Sequence, residues 1–179
     1  MEKTTRKERL REFSAGGVVF KKIVGQREKT EKVLWLITRV GDSSRMFSPD
    51  TWRLPKGWLD DANNGSPGPL ASGKVKAKEE DLVKAALKEV EEEGGVTAKI
   101  IAKINTIKFF FTFKGKKILK FVTFYLMEWT DDIQEGTTYE TAEIAWLGFK
   151  EAREKLTYSS EKKVLDKAKE ILAGLESKI

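Results

Sequence analysis

Residues 80–96 read EDLVKAALKEVEEEGGV. Leu82, Val83, Ala86, Leu87 and Val90 recur at helical spacing and form one apolar stripe, and Gly94-Gly95 supplies a stop, so the pattern predicts a helix over 80–93. Glu89, Glu92 and Glu93 stand at i, i+3 and i+4, which at about 100° per residue puts three carboxylates on one side of that helix, beside the stripe. Glu91 points away from the stripe and is assigned to solvent. Like charges so placed repel by about 0.2–0.5 kcal/mol per pair on a free helix unless a multivalent cation neutralises them. Magnesium suits that task, since it takes oxygen ligands and is commonly shared between carboxylates and substrate phosphates. A solvated acidic helix face has the same spacing, so spacing by itself leaves both readings open.

Outward from the helix, the flanks read as strands. Residues 12–23 are β-rich around Gly16-Gly17, where paired glycines predict a bulge or a close backbone approach, and 32–38 (KVLWLIT) have the continuous apolar run of a central strand buried on both faces. Residues 60–73 (DDANNGSPGPLASG) are turn formers and read as a loop or lid. Beyond the helix, 96–108 and 117–128 form a predicted antiparallel pair turning at Lys114-Gly115-Lys116, with Phe109, Phe111 and Phe113 expected on one buried face. A short strand at 143–148 and helices at 149–156 and 159–175 complete the order.

Composition narrows the chemistry. A chain of 179 residues suits one domain, and 40% hydrophobic residues can fill its core. Zero Cys and zero His exclude thiolate zinc sites, disulfides, Cys nucleophiles, His-ligated metals and Ser-His-Asp triads, which leaves carboxylates, Lys, Tyr or a hard metal. The net charge of +6 suits polyanionic ligands and is also ordinary for a surface. No apolar run approaches a membrane span and no apolar signal core stands near residue 1, so a cytoplasmic location and no membrane partner are expected. No basic-aromatic cluster of an RNA-reading motif is evident, and nucleic acid stays open as a partner without being the favoured one.

Leu54-Pro55-Lys56-Gly57, followed by Glu80-x7-Lys88-Glu89-Val90-x-Glu92-Glu93-x-Gly95-Val96, resembles the Nudix box, Gly-x5-Glu-x7-Arg-Glu-U-x-Glu-Glu-x-Gly-U with U a bulky aliphatic residue. Lys88 replaces the arginine, and 22 residues instead of five separate Gly57 from Glu80, so the box is split by an insertion at about 60–78. Gly73 stands near the required spacing, but Pro-Lys-Gly after Trp52 is the better match. The likeness runs from Phe13 to the C-terminal helices and implies a single α/β domain, the Nudix-type α/β/α sandwich with a mixed β-sheet between helices.

The same resemblance implies hydrolysis of a diphosphate linkage, dependent on Mg²⁺ with Mn²⁺ as substitute. Glu89, Glu92, Glu93, the Lys56 carbonyl and Glu140 are the implied metal contacts. Glu89, Glu92, Glu143 and Lys88 are the implied catalytic residues, with the general base open between Glu89, Glu143 and Glu140. Lys56, Gly57, Arg39 and Lys120 are candidate contacts to a small polyphosphate substrate, with Arg45 a further cation. Trp-x-Leu-Pro-Lys-Gly and Lys120 are similar to the branch acting on dinucleoside polyphosphates or diphosphoinositol polyphosphates. RNA 5′ pyrophosphate removal and a non-catalytic nucleotide-binding module are the rival readings.

Overall fold

Alternation of side chains along one strand feeds two cores. In chain order the elements are β1 (Leu10–Val24), β2 (Glu31–Val40), β3 (Trp52–Arg53), β4 (Lys56–Trp58), β5 (Asp61–Ala62), β6 (Ser66–Pro67), α1 (Glu79–Gly94), β7 (Val96–Phe113), β8 (Lys116–Asp132), β9 (Thr141–Leu147), α2 (Phe149–Lys155) and α3 (Ser159–Glu176). They come from a computed structural model that describes residues 9–26, 29–41 and 47–179. Seven strands form a mixed sheet in the order β3-β2-β1-β8-β7, with β4 also on β1 and β9 also on β2. β1 runs parallel to β8 and antiparallel to β2 and β4.

Val18 and Phe20 of β1, Trp35 and Ile37 of β2, and Val122, Phe124 and Leu126 of β8 point to one face, where Ala152, Leu156, Val164, Leu165 and Ala168 of the α2–α3 region cover them. The intervening residues Ala15, Val19, Leu36, Tyr125 and Met127 face the other way, onto Ala85, Ala86 and Val90 of α1. This is the α/β/α sandwich expected from the sequence. The strand at 32–38 is interior as its apolar run required, but β1 paired with β8 holds the centre of the sheet.

The expected close approach at Gly16-Gly17 is present. A Cβ on Gly16 would lie 2.3 Å from the Pro55 carbonyl oxygen, and one on Gly17 would lie 2.5 Å from a Val90 methyl. Both glycines therefore let β1 pass directly under the 54–57 loop and under α1. The insertion is an organised structure. Asp60 accepts from the backbone N–H groups of Leu70 and Ala71 at 3.1 and 2.7 Å, Phe13 N–H donates to the Ala71 carbonyl at 2.8 Å, and Ala71 is fully buried in the α1-side core.

One expectation fails. Phe109 and Phe113 are 37% and 40% exposed, because β7 and β8 continue past the region that α1 and α3 cover, so the phenylalanine alternation marks a solvent face. Arg45, one of the cations named from the sequence, lies outside the described residues.

Gly16→Ala should cost about 2 kcal/mol, because the added methyl meets backbone and not a side chain that can swing aside. The measurement is the urea midpoint at unchanged m-value, and a midpoint equal to that of the parent protein refutes the close-approach account.

Candidate active site

Helix α1 is fixed at both ends. At its start the Lys78 N–H donates to Asp81 at 2.7 Å, and Glu79 accepts from the Tyr125 hydroxyl at 2.6 Å and from Lys103 at 2.7 Å, tying the first turn to β8 and β7. At its end Gly95 takes a left-handed φ of 65° and donates to the Glu91 carbonyl at 3.1 Å. The Glu92 and Glu93 carbonyls accept from Thr138 N–H and the Thr141 hydroxyl, each at 2.9 Å, which brings the segment carrying Glu140 against the end of α1.

The three helix carboxylates act on one another electrostatically, but each meets different surroundings. Glu93 is buried and accepts from Arg53 Nη2 at 2.6 Å and Lys56 N–H at 3.0 Å. Glu92 is exposed enough to turn toward Lys88, 3.5 Å away. Glu89 is 8% exposed, accepts no hydrogen bond from the described residues, and lies against Gly57, where an added Cβ would fall 2.2 Å from its carboxyl carbon. Burial, then the charges of Glu93, Glu92 and Glu140, push the Glu89 carboxyl up to about 8, with Lys88 opposing. Burial also raises Glu93, against the pull of Arg53 and Lys56.

Among the described residues, no group of three or more acidic side chains stands ready at ligand spacing for a metal ion. In kind the donors still fit a hard dication. Glu89 is an unpartnered, nearly buried carboxylate whose acidic neighbours repel it, and a divalent cation relieves that repulsion.

The 54–57 loop is gripped from the opposite side by Glu161, in the first turn of α3. Glu161 is 2% exposed, accepts from Leu54 N–H at 2.8 Å, and pairs with Lys56 Nζ at 2.8 Å. The Lys56 side chain is thus engaged in this pair. Gly57 serves as the floor under Glu89. Arg53 and Glu161 were not singled out by sequence reasoning. Arg53 is the unspecified position in Trp-x-Leu-Pro-Lys-Gly, and Glu161 carries no local signal because its partner is more than a hundred residues away.

The remaining candidates separate. Lys88 reaches Asp61 of the insertion at 3.7 Å as well as Glu92. Glu143 pairs with Arg39 at 3.3 Å across β2 and β9, and Arg39 also donates to the Pro49 carbonyl at 3.0 Å. Of the two far-side glutamates, Glu140 is the one whose charge reaches Glu89 and Glu93. Lys120 lies 3.9 Å from Glu12, and burial followed by the like charges of Lys56 and Arg53 lowers it to about 8. It is therefore a cation held close to Arg53 and Lys56, on the site's flank.

A NUDIX domain model matches residues 23–168. A curated relative from Mycobacterium tuberculosis (strain CDC 1551 / Oshkosh), carrying the name mutator protein MutT4, is 29% identical over 174 residues, and the match spans 97% of this chain and 61% of the relative. The fold resembles that of a C. elegans Ap4A hydrolase binary complex, with TM-score 0.55, 20% identity, and coverage of 91% of this chain and 98% of that one. It also resembles the NUDIX domain of Shewanella oneidensis NrtR complexed with ADP ribose, with TM-score 0.57, 16% identity, and coverage of 96% and 94%. The MutT protein from Methanosarcina mazei Go1 gives TM-score 0.56 at 17% identity, covering 91% and 96%.

Two outcomes check this geometry. Arg53→Met leaves Glu93 buried without its ion-pair partner and should cost about 3 kcal/mol, part of which Arg53→Met/Glu93→Gln restores; equal losses in both variants refute the pairing. In EDTA, Glu89 holds its proton more tightly when folded, so its contribution is complete below about pH 4.5 and is lost as the pH rises through about 8. The Tm of the metal-free protein should fall across that window, and Glu89→Gln should make the fall shallower. An unchanged slope in Glu89→Gln would show that Glu89 is not the titrating group.

Proposed function

The chain belongs to the NUDIX family, and from that premise we propose that it is a metal-dependent pyrophosphohydrolase acting on a nucleoside or dinucleoside polyphosphate of the diadenosine tetraphosphate kind. The observation that carries the reading is Glu89: a nearly buried carboxylate, seated on Gly57, unpaired, and crowded by Glu92, Glu93 and Glu140. Structural proteins rarely keep such a group, whereas catalytic centres place them where charge must be exchanged. The likeness to the C. elegans Ap4A hydrolase and the Trp52–Gly57 segment support the choice of substrate, and the ADP ribose of the NrtR complex supports the wider class of diphosphate-linked nucleosides.

Glu89, Glu92, Glu140 and the Lys56 carbonyl would hold Mg²⁺ or Mn²⁺. Such an ion supplies a Lewis acid for phosphate oxygens and lowers the pKa of a bound water. Glu93 is assigned to the loop, since Arg53 and the Lys56 N–H already engage its oxygens. Glu89 takes the proton of the attacking water, whose oxygen forms a bond to one phosphorus while the bridging P–O bond breaks and the departing phosphate carries the electron pair away. Lys120 and Arg39 are assigned to countering substrate charge; Lys88 pairs with Glu92, and Glu143 pairs with Arg39. We assign the whole described chain to one domain, a reading supported by the central place in the sheet of β1, which lies mostly outside the matched residues. No helix among the described residues is long and apolar enough to cross a membrane, and a cytoplasmic nucleotide substrate agrees with that.

Incubation with diadenosine tetraphosphate and Mg²⁺ should yield mononucleotide products separable by ion exchange, with none in EDTA. Glu89→Gln should lower kcat by about 100-fold or more with KM within a few-fold, the size expected on losing a general base. A panel of nucleoside and dinucleoside polyphosphates left intact by the folded protein in Mg²⁺ or Mn²⁺ would overturn the assignment.

A further inference from the structure

Between Glu93 and Glu128 the chain has seven lysines and no acidic residue, so this segment alone carries more positive charge than the net +6 of the protein. It folds as the β7–β8 hairpin, whose outer half extends beyond the helices and turns at Lys114-Gly115. Cross-strand pairs Phe109 with Lys120, Phe111 with Ile118 and Phe113 with Lys116 place three rings and two cations on one face. Phe109 and Phe113 are exposed, as is Leu10 on the neighbouring β1 strand. The rings repeat at every second residue, roughly 6.8 Å apart. On the opposite face Phe110 is 48% exposed and lies beneath Lys117, 4.4 Å from the ring centre, with Arg9 at 5.7 Å. Lys114 lies 5.3 Å from the Phe113 ring and Lys120 lies 5.8 Å from the Phe111 ring.

We propose that the outer half of this hairpin is a docking platform for single-stranded nucleic acid, with bases stacking on Phe109, Phe111 and Phe113 and phosphates following Lys114 and Lys116. Exposed rings interleaved with cations, in a segment without any carboxylate, match a polymer that alternates flat apolar faces with negative charges. Charge complementarity selects this occupant over a second copy of the chain, whose hairpin would bring the same lysines against these. The rings and cations are brought together across the turn, where Lys116 of β8 comes beside Phe113 of β7, and no linear motif reports the arrangement. Because Lys120 joins this face to the flank of the catalytic site, a strand lying on the platform has a direct line toward Glu12 and Lys56.

The test is fluorescence anisotropy of a short, dye-labelled, mixed-sequence single-stranded RNA with the full chain in EDTA, where no turnover occurs, so that its outcome is independent of the hydrolase reading. Binding is expected, with log affinity falling about 0.7 per phosphate neutralised for each unit rise in log salt. Phe109→Ser/Phe113→Ser should weaken it by about 10-fold or more at unchanged Tm, by loss of stacking. Lys114→Gln/Lys116→Gln, which leaves the rings in place, should make the salt dependence shallower by about 1.4. No binding at low salt, or binding that neither variant alters, overturns the proposal. So does hairpin-dependent capture of phosphatidylserine vesicles without RNA binding, or a dimer that the phenylalanine variants dissociate while RNA binding stays unchanged.

Discussion

The segment Arg53-Leu54-Pro55-Lys56 lies between two buried carboxylates, and the catalytic arrangement depends on that grip. Glu93 reaches it from α1 and takes Arg53 Nη2 and Lys56 N–H; Glu161 reaches it from α3 and takes Leu54 N–H and Lys56 Nζ. Four donors meet four carboxylate oxygens, so no oxygen of either glutamate is left without a donor. Burying two ion pairs adds little net stability, since desolvation consumes most of the attraction. What it fixes is position. The two layers of helices, on opposite faces of the sheet, are joined through this one strip of backbone, and Gly57 at its end is thereby held under Glu89.

With the loop immobilised, Glu89 has no protein partner to satisfy it. Glu93 and Glu92 could share its burden only by leaving Arg53 and Lys88, and Glu140 adds a further negative charge. The helix therefore spends its three acidic positions on three tasks: anchoring, solvent-side pairing with Lys88, and an unpaired carboxylate on the floor of the site. The lysine in place of arginine is consistent with this division. A point charge restrains one exposed glutamate adequately, and the short, buried guanidinium contact to a carboxylate is made instead by Arg53 Nη2.

Where the sequence was legible, the signal was local. The helix register, its glycine stop, the β7–β8 turn and the close approach at Gly16-Gly17 all rest on residues within a few positions of one another, and the structure contains each of them. The partners of Lys56 and of the helix carboxylates were illegible because they are supplied from far along the chain. Helical spacing placed Glu89, Glu92 and Glu93 on one side, but Arg53 and Lys88 determine where their oxygens go. The phenylalanines at 109–113 were misread for a related reason: alternation reports that a strand has two faces, and only the extent of the covering helices determines which face is dry. Arg39 and Glu143 illustrate the same limit, since their pairing follows from β2 lying beside β9.

The insertion between Gly57 and Glu80 tests how firmly the loop and helix are coupled, because a free segment of that length would let them drift apart. Closure entropy rises only logarithmically with length, so lengthening a connection from five residues to 22 costs on the order of 1 kcal/mol. The protein recovers this through contacts the short connection could not make. Asp60 folds the segment back on itself, Ala71 enters the α1-side core, and Phe13 both receives the Gly73 turn against its ring and donates its N–H to the Ala71 carbonyl. Asp61 then meets Lys88, so the inserted hairpin touches the helix one turn from Glu92. The added residues brace the same loop and helix that they separate in sequence, which is why the two halves of the motif keep their spatial relation although their spacing along the chain is lost.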